Sequence, residues 1–434
     1  MAITRKRLSL VEYGSSVDLS NEIATVLGID RTKVEILLAD AGNRVAASLG
    51  LKYNPITFDR NGIRAIDFAG LVRLAPSVEL EVAPKFLGLD DTDATWREDF
   101  FFLSTLSRHG RLLANERLSA SGGAPRDLST LIARSFISMY EGRKRSPLRS
   151  YRKAIEADFY IDGDADPMDL VFPSSDGFNQ EVIRFDRKNE WNANIMAAAK
   201  ELLFEVSDPS TAGSLMRLIE DLSPQYSYAN RSKAIPARYR AWQPLHELSI
   251  DILSGLGINY KQGQAHAPGY VVSTWRIWED LLAIAARIGF GQSSVISQKG
   301  FVLGERTKLT TNTASPLSVF PDCIVEAAEG RSRIILDSKY KGHVEKGQLR
   351  LAEADIYEAL AFSKATRCDR VILAHPARPL GKVARLGGIA VFEIIRVDAV
   401  CIAGIQVESR GISKRGALKI FATNFARELT HLKF

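Results

Sequence analysis

The chain has 434 residues, of which 46% are hydrophobic and 25% charged, which leaves room for two or three domains. That balance excludes an intrinsically disordered chain, and a core of this size needs no disulfide staples. The net charge of +6 is too small to imply a polyanionic partner, because phosphate binding depends on clustered cations more than on totals.

Taken in chain order, the start MAITRKRLSLVEYG is basic but has no long apolar run, and no later stretch approaches the ~18 apolar residues of a membrane span. A cytoplasmic protein without membrane contact is expected. Ser20 to Leu27 and Arg31 to Leu38 carry helix-spaced apolar residues, with Asp30 as N-terminal cap of the second helix. Thr57 to Asp67 alternates around the turn Asp59-Arg60-Asn61-Gly62, and Leu71 to Val82 alternates around Ala75-Pro76-Ser77, so a small β-rich module is predicted. From Trp96 the apolar spacing turns helical, through Phe100, Leu103, Leu106, Leu131, Phe136 and Met139. Asn192 to Phe204, Thr211 to Leu222 and Leu245 to Leu256 continue a helical middle layer, interrupted by a polar loop at Asp162 to Asp169.

After about Tyr260 the order is helix (Trp275 to Ile288), strands (Phe301 to Gly304, Val319 to Ala327, Arg333 to Tyr340), helix (Leu351 to Thr366) and strands (Arg370 to Ala374, Ile389 to Arg396). Such an order describes a mixed α/β domain with a central sheet. The fold class expected is α+β and multidomain: a β-rich N-terminal module, a helical middle and a C-terminal α/β core.

Two segments carry chemistry. GRKRSPLRSYRK, from Gly142 to Lys153, has six basic residues (Arg143, Lys144, Arg145, Arg149, Arg152, Lys153) and no acid. It reads equally as a phosphate contact and as a solvated surface. In FPDCIVEAAEGRSRIILDSKYKG the turn Ala328-Glu329-Gly330 pairs two strands, one bearing Asp322 and the other Asp337 and Lys339. Residues two apart on a strand share a face, and the RIIL run before Asp337 marks that strand as buried, where unpaired charge is costly and a metal is one way to hold it. Two carboxylates and a lysine are the simplest set for phosphodiester hydrolysis, which needs a hard cation, an activated water and a positive group near the developing charge.

Pro-Asp, fourteen intervening residues and Asp-x-Lys resembles the PD-(D/E)xK nuclease superfamily, with Ser338 as the variable residue. The resemblance implies that Asp322 and Asp337 hold Mg2+, that Lys339 is catalytic, and that Glu279 in WRIWEDLL supplies an additional acid. Where the superfamily often has a Gln-x-x-x-Tyr element, this chain has Glu358 and Phe362. More narrowly, GLVRLAPSVELEVAPKFLG, WREDFFFLSTLSRHG, LRSYRKAIEADFYIDGD, FDRKNEWNANIMAAAKELL and WQPLHELSIDIL are similar, in order and spacing, to the McrC family. These are nuclease subunits of modification-dependent restriction (defence) systems. A departure is Asn194-Ile195, where that family has Asn-Arg.

The resemblance implies three regions: 1–115 as a module docking a McrB-like AAA+ GTPase, 116–259 as helical linker and 260–434 as the nuclease domain. It also implies DNA as substrate and GTP on the partner. No nucleotide is expected on this chain, because a Gly-x-x-x-x-Gly-Lys-Ser/Thr loop is absent and Gly342 to Gln348 has Gln in place of the lysine. Competing expectations are an inactive subunit that regulates a partner NTPase, and a nuclease without a motor.

Other candidates read as structural. Cys323, Cys368 and Cys401 suit a reducing compartment, and with His109, His246, His266, His343, His375 and His431 they show no zinc spacing. His343, four residues past Lys339, is a minor candidate for phosphate contact; the lysine of Pro84-Lys85-Phe86 reads as solvated, and Trp275 and Trp278 as core. Gly-x-Ser-x-Gly is absent, which excludes an α/β-hydrolase elbow.

Overall fold

The computed structural model describes residues 6–59, 62–75, 77–89, 95–109, 128–165, 167–172, 174–206, 208–222, 234–254, 259–261, 264–266, 271–326, 333–345, 348–378 and 385–432. These residues form a mixed α+β protein, as the sequence suggests. The chain divides into two compact units, Ile3–Gly122 with Pro268–Phe434, and Gly123–Ala267 with the first two residues. The N-terminal module expected as a separate region therefore shares one unit with the C-terminal α/β core. The boundary expected near residue 115 lies outside the described residues.

In the N-terminal part of that first unit, Lys6–Val11 pairs parallel with Val78–Ala83, which pairs antiparallel with Ala69–Ala75. The turn between the last two includes Pro76, outside the described residues, as are Arg60 and Asn61 between Ile56–Asp59 and Gly62–Ala65. Helices Asp18–Leu27 and Arg31–Leu49 contribute Ile23, Val34, Leu38 and Val45 to a core with Phe68, Val72 and Leu80. Asp30 caps the second helix, accepting from the Lys33 amide at 2.9 Å.

Three contacts fasten this module to the C-terminal part. Val271–Val272 adds an antiparallel strand beside Ala69 and Gly70. Asp99, buried on helix Thr95–His109, accepts from the amides of Gly411 (2.6 Å) and Ser413 (2.9 Å). Glu12, also buried, accepts from Thr274 Oγ1 at 2.7 Å and from the Tyr340 hydroxyl. Cutting the chain between the parts would strip two buried carboxylates of donors, and a hydrogen bond to a charged group is worth about 1.5–3 kcal/mol.

The C-terminal sheet has six strands in the order Val295–Ser297, Cys323–Val325, Ile334–Ser338, Arg370–Pro376, Val400–Val407, Ile389–Val397. The pairs formed by Ile334–Ser338, Arg370–Pro376 and Val400–Val407 are parallel and the rest antiparallel. Ile335, Val371 and Leu373 pack on Ala359 and Phe362 of helix Glu353–Thr366. Helix Thr274–Phe290 touches the sheet and packs along Ala417–His431, where Gly289 allows close approach: a Cβ there would lie 2.6 Å from that of Ala426. The last strand and helix go beyond the elements that the apolar spacing predicts; the predicted strand Phe301 to Gly304 extends to Lys308 and pairs with Thr313–Val319 outside the main sheet, and the predicted strand Val319 to Ala327 is divided between Thr313–Val319 and Cys323–Val325. The predicted hairpin bearing Asp322 and Asp337 is present, and its turn lies outside the described residues.

The second unit holds helices Leu128–Glu141, Glu190–Glu205, Pro209–Leu222 and Gln243–Ser254, close to the predicted helices. Asn194 and Ile195 are both fully buried, Asn194 Nδ2 lying 3.2 Å from His246 Nε2, so this departure from the family pattern sits in the packed interior. The middle is not purely helical, however. Ser150–Asp158 and Phe178–Asp186 pair over nine residues each as an antiparallel hairpin. One of its faces presents Tyr151, Ile155, Ile183 and Phe185, Ile155 being 80% exposed. Lys153 and Glu181 interrupt that apolar row, which is why alternation does not reveal the strands.

Candidate active site

The strand Ile334–Ser338 runs between Cys323–Val325 and Arg370–Pro376, and Ile334, Ile335 and Leu336 are all buried. The chain thus delivers Asp337 into the core, only 4% exposed. Lys339, two residues on and on the same face, puts Nζ 2.9 Å from Asp337 Oδ2. The lysine's amide donates to the Ala374 carbonyl at 3.0 Å, extending the parallel ladder past the strand's end.

Asp322 arrives from the neighbouring strand. Cys323 is in register with Leu336, so one step further sets Asp322 level with Asp337. Its Oδ2 accepts from the Ser338 amide at 2.8 Å and from the Ser338 hydroxyl. Ser338, the variable residue of the sequence pattern, thus positions Asp322.

Glu279 reaches the same place from helix Thr274–Phe290. Burial pushes its pKa up to about 7, helped by the charges of Asp322, Asp280 and Asp337. Gln298 donates its side-chain amide to Glu279 and its backbone amide, at 3.1 Å, to the Asp322 carbonyl. It does so from a left-handed backbone conformation (φ 54°), uncommon for a residue other than glycine and a local cost that the clasp offsets. No sequence pattern flags Gln298.

Lys339 is held by more than Asp337. Its hydrogen bond goes to Glu358 at 2.6 Å, and Asp355 lies 3.5 Å away. Burial pulls the ammonium pKa down, but Asp337 and Glu358 outweigh it and the net shift is upward, so the group stays charged. Glu358 therefore belongs to the site, while Phe362, one helical turn on, is a core residue 3% exposed. The approach of Lys339 to Asp337 lacks hydrogen-bond alignment: it counts as an ion pair at 2.9 Å, yet Asp337 Oδ2 has no hydrogen bond. Burial pushes the Asp337 carboxyl up to about 7 against the pull of Lys339, with Asp322 pushing the same way.

Among the described residues no three His, Cys, Asp or Glu side chains close into a ready-made metal cage. Asp337, Asp322 and Glu279 gather as oxygen donors of the kind a hard divalent cation takes, the Asp322 charge raising the pKa of the other two.

Lys85, expected to be solvated, is largely enclosed. It donates to the Tyr340 carbonyl and lies 4.0 Å from the Tyr340 ring centroid, beside Glu12. Burial drives Lys85 down to about 8 and Glu12 up to about 7. Lys341 donates to Asp67 at 3.0 Å, and Asp67 also accepts from the hydroxyls of Tyr13 and Tyr53. The strand end Lys339-Tyr340-Lys341 is thereby clamped by the N-terminal module.

His375 is a packing residue, its ring 5.4 Å from Phe392 and its pKa pushed down to about 3 by burial and by Lys85 and Lys339. The side chain of His343 lies outside the described residues. Trp278 is core, as expected, but Trp275 is 40% exposed.

The basic segment falls in the other unit, at the end of helix Leu128–Glu141 and on the hairpin's first strand. Lys144 pairs with Glu141 (2.5 Å), Arg152 with Asp186 (2.9 Å) and Lys153 with Glu181 (2.5 Å). Among the described residues Arg143, Arg145 and Arg149 form no ion pair, so about half the cluster's charge is already answered locally.

Residues 63–376, well over half of the chain, match the family described as McrBC 5-methylcytosine restriction system component. The chain belongs to that McrBC family. Its fold is similar to that of a chain in a half-complex from a tetradecameric assembly of Thermococcus gammatolerans McrB AAA+ hexamers with bound McrC (TM-score 0.64, 13% identity, 98% of this chain and 99% of that one). A chain from the Thermococcus gammatolerans McrBC complex is less similar (TM-score 0.46, 14% identity, 63% of this chain and 85% of that one). No curated protein sequence matches. The McrBC match spans both units, and among the described residues no helix is long and apolar enough to cross a membrane.

The raised Asp337 pKa has a consequence for stability in the absence of metal. Folded, the carboxyl titrates near 7; unfolded, it titrates near about 3.9. The folded state thus holds the proton more tightly, and stability falls as pH rises between those values. Asp337→Asn removes that cost, and is expected to raise Tm in EDTA by several degrees at about pH 8 (at about 2–4 °C per kcal/mol) while changing little at about pH 4. Thermal melts check this; the same shift at both pH values would mean that the carboxyl ionises normally.

Proposed function

We propose that the chain is the DNA-cleaving subunit of an McrBC-type restriction system, a metal-dependent endodeoxyribonuclease with a PD-(D/E)xK-type core, acting with a McrB-like AAA+ GTPase. The observation that carries this reading is the convergence of Asp322, Asp337 and Glu279 with Lys339 at the end of a central strand.

Asp322, Asp337 and Glu279 would hold Mg2+, which when bound supplies charge neutralisation at the phosphate and a more acidic water. Ser338 and Gln298 hold the two outer acids in place before substrate arrives. Lys339, kept charged by its acidic neighbours, orients the attacking water or meets the negative charge that grows on phosphate oxygens as one P–O bond forms and the other breaks. Glu358 and Asp355 hold that ammonium in position. The contact of Glu358 with Lys339 supports an active site over an inactive regulatory subunit.

For the partner, the exposed hairpin of the second unit offers an apolar face. Beyond its strands, Phe159, Tyr160, Ile161, Met168, Val171 and Phe172 are each more than half exposed, an extent that marks interaction surfaces. The N-terminal module, by contrast, spends its apolar faces on its own core. We therefore assign the partner contact to the hairpin and the phosphate contact to Arg143, Arg145 and Arg149.

Asp337→Ala is expected to lower metal-dependent DNA cleavage by about 100-fold or more while the protein stays folded. Undiminished cutting by the folded variant would remove the assignment. Replacing Arg143, Arg145 and Arg149 by Ala should weaken binding of all DNA sequences alike and reduce the salt slope by about 1 per engaged residue; an unchanged slope would make the segment a solvated surface. Ile155→Glu with Ile183→Glu should cut stimulation of the partner's nucleotide turnover about 10-fold without changing Tm, because both side chains are exposed. Wild-type stimulation by the double variant would show that the partner docks elsewhere.

A further inference from the structure

A cleft of about 420 Å³ opens beside Lys339, on the scale of small-molecule sites. Lys339, Lys341 and Asp355 line one part of it; Tyr53 and Asp67 of the N-terminal module and Trp275 of helix Thr274–Phe290 line the rest. Its aromatic rings are partly exposed. Trp275 is 40% exposed and Tyr53 46%, whereas Trp278, one helical turn on, is fully buried and donates its indole N–H to the Ala374 carbonyl at 2.9 Å.

Tyr53 is preset. Its hydroxyl donates to Asp67, which Tyr13 and Lys341 hold from other sides, so the ring is fixed without a ligand. Trp275 has the Arg276 guanidinium 5.1 Å from its ring centroid. Two aromatic rings lie beside two ammonium groups, Lys341 paired with Asp67 and Lys339 with Asp337, Asp355 and Glu358, and together they offer the parts that meet a nucleotide's aromatic base and anionic backbone.

We propose that this cleft binds one unstacked nucleotide of the DNA strand next to the phosphate to be cut, its base stacked on Trp275 and Tyr53 and its backbone phosphate met by Lys341. The proposal rests on the nuclease reading and extends it: the strand at the cut site has one base out of the helical stack. It also gives the N-terminal module a part in substrate binding, through Tyr53.

The test uses the full chain in EDTA, so that binding is read without cutting. Wild-type protein should bind a short oligothymidylate about 10- to 100-fold more tightly than its fully abasic counterpart, the range expected for base–aromatic stacking. Trp275→Ala and Tyr53→Leu should each lose most of that preference, and Trp275→Phe should keep most of it. Thermal melts confirm folding, which replacement of a partly exposed ring leaves intact. Equal affinity of the wild type for both oligomers, or an undiminished preference in both Trp275→Ala and Tyr53→Leu, would overturn the proposal. Metal-dependent cutting that survives Asp337→Ala would instead overturn the nuclease reading, so the two failures are read from different measurements.

Discussion

The carboxylate of Asp337, only 4% exposed near the end of a central strand, is the constraint on which the site depends. A buried carboxylate is costly unless paired, and its one close cation, Lys339, is itself shared with Glu358 and Asp355. Beyond burial, Asp322 adds repulsion that raises the pKa of both Asp337 and Glu279. The Lys339 ammonium offsets part of that repulsion. Apolar residues on both sides of the strand hold the backbone, and Ser338 and Gln298 hold the Asp322 and Glu279 side chains.

The same strand end ties the N-terminal module to the core. Lys339 faces the acids, Tyr340 is buried against Glu12, Lys85 and Phe86, and Lys341 reaches Asp67. Three consecutive residues thus serve the site, the junction and the cleft wall. A shift of the module would be felt at Lys339 within one peptide unit, which makes the junction a direct mechanical link between the first hundred residues and the site. Across this junction Glu12 is held by donors from Thr274 and Tyr340, and Lys85 reaches the Tyr340 carbonyl.

Local patterns are legible in the amino-acid sequence alone. Apolar spacing locates the helices because a buried helical face repeats every three or four residues, and Asp30 marks its helix start because an N-terminal amide needs an acceptor. The acids and lysine of the site are legible because charge after an apolar strand is expensive and so informative, and the order of short motifs along residues 63–376 points to the McrBC family that the chain belongs to. Phe362 and Glu358 are also visible as departures, but not what they do, because a helix periodicity does not say which residue faces a site.

What only the tertiary structure decided are relations between distant segments. Gln298, Ser338 and Glu358 join the site through contacts across 16 to 19 residues of sequence, and neither their identity nor their spacing follows a repeat. Glu12 and Tyr340 are separated by 328 residues, and the pairing of Val271–Val272 with Ala69 and Gly70 is equally remote; together they turn two expected regions into one unit. The exposed hairpin is hidden in the sequence for the opposite reason: periodicity reports burial, and a face left for solvent or a partner has no core to impose a pattern on it. Sequence by itself determined which residues could do the chemistry, because residue type sets charge and hydropathy, while the fold decided which of them meet, because proximity depends on packing that no local window contains.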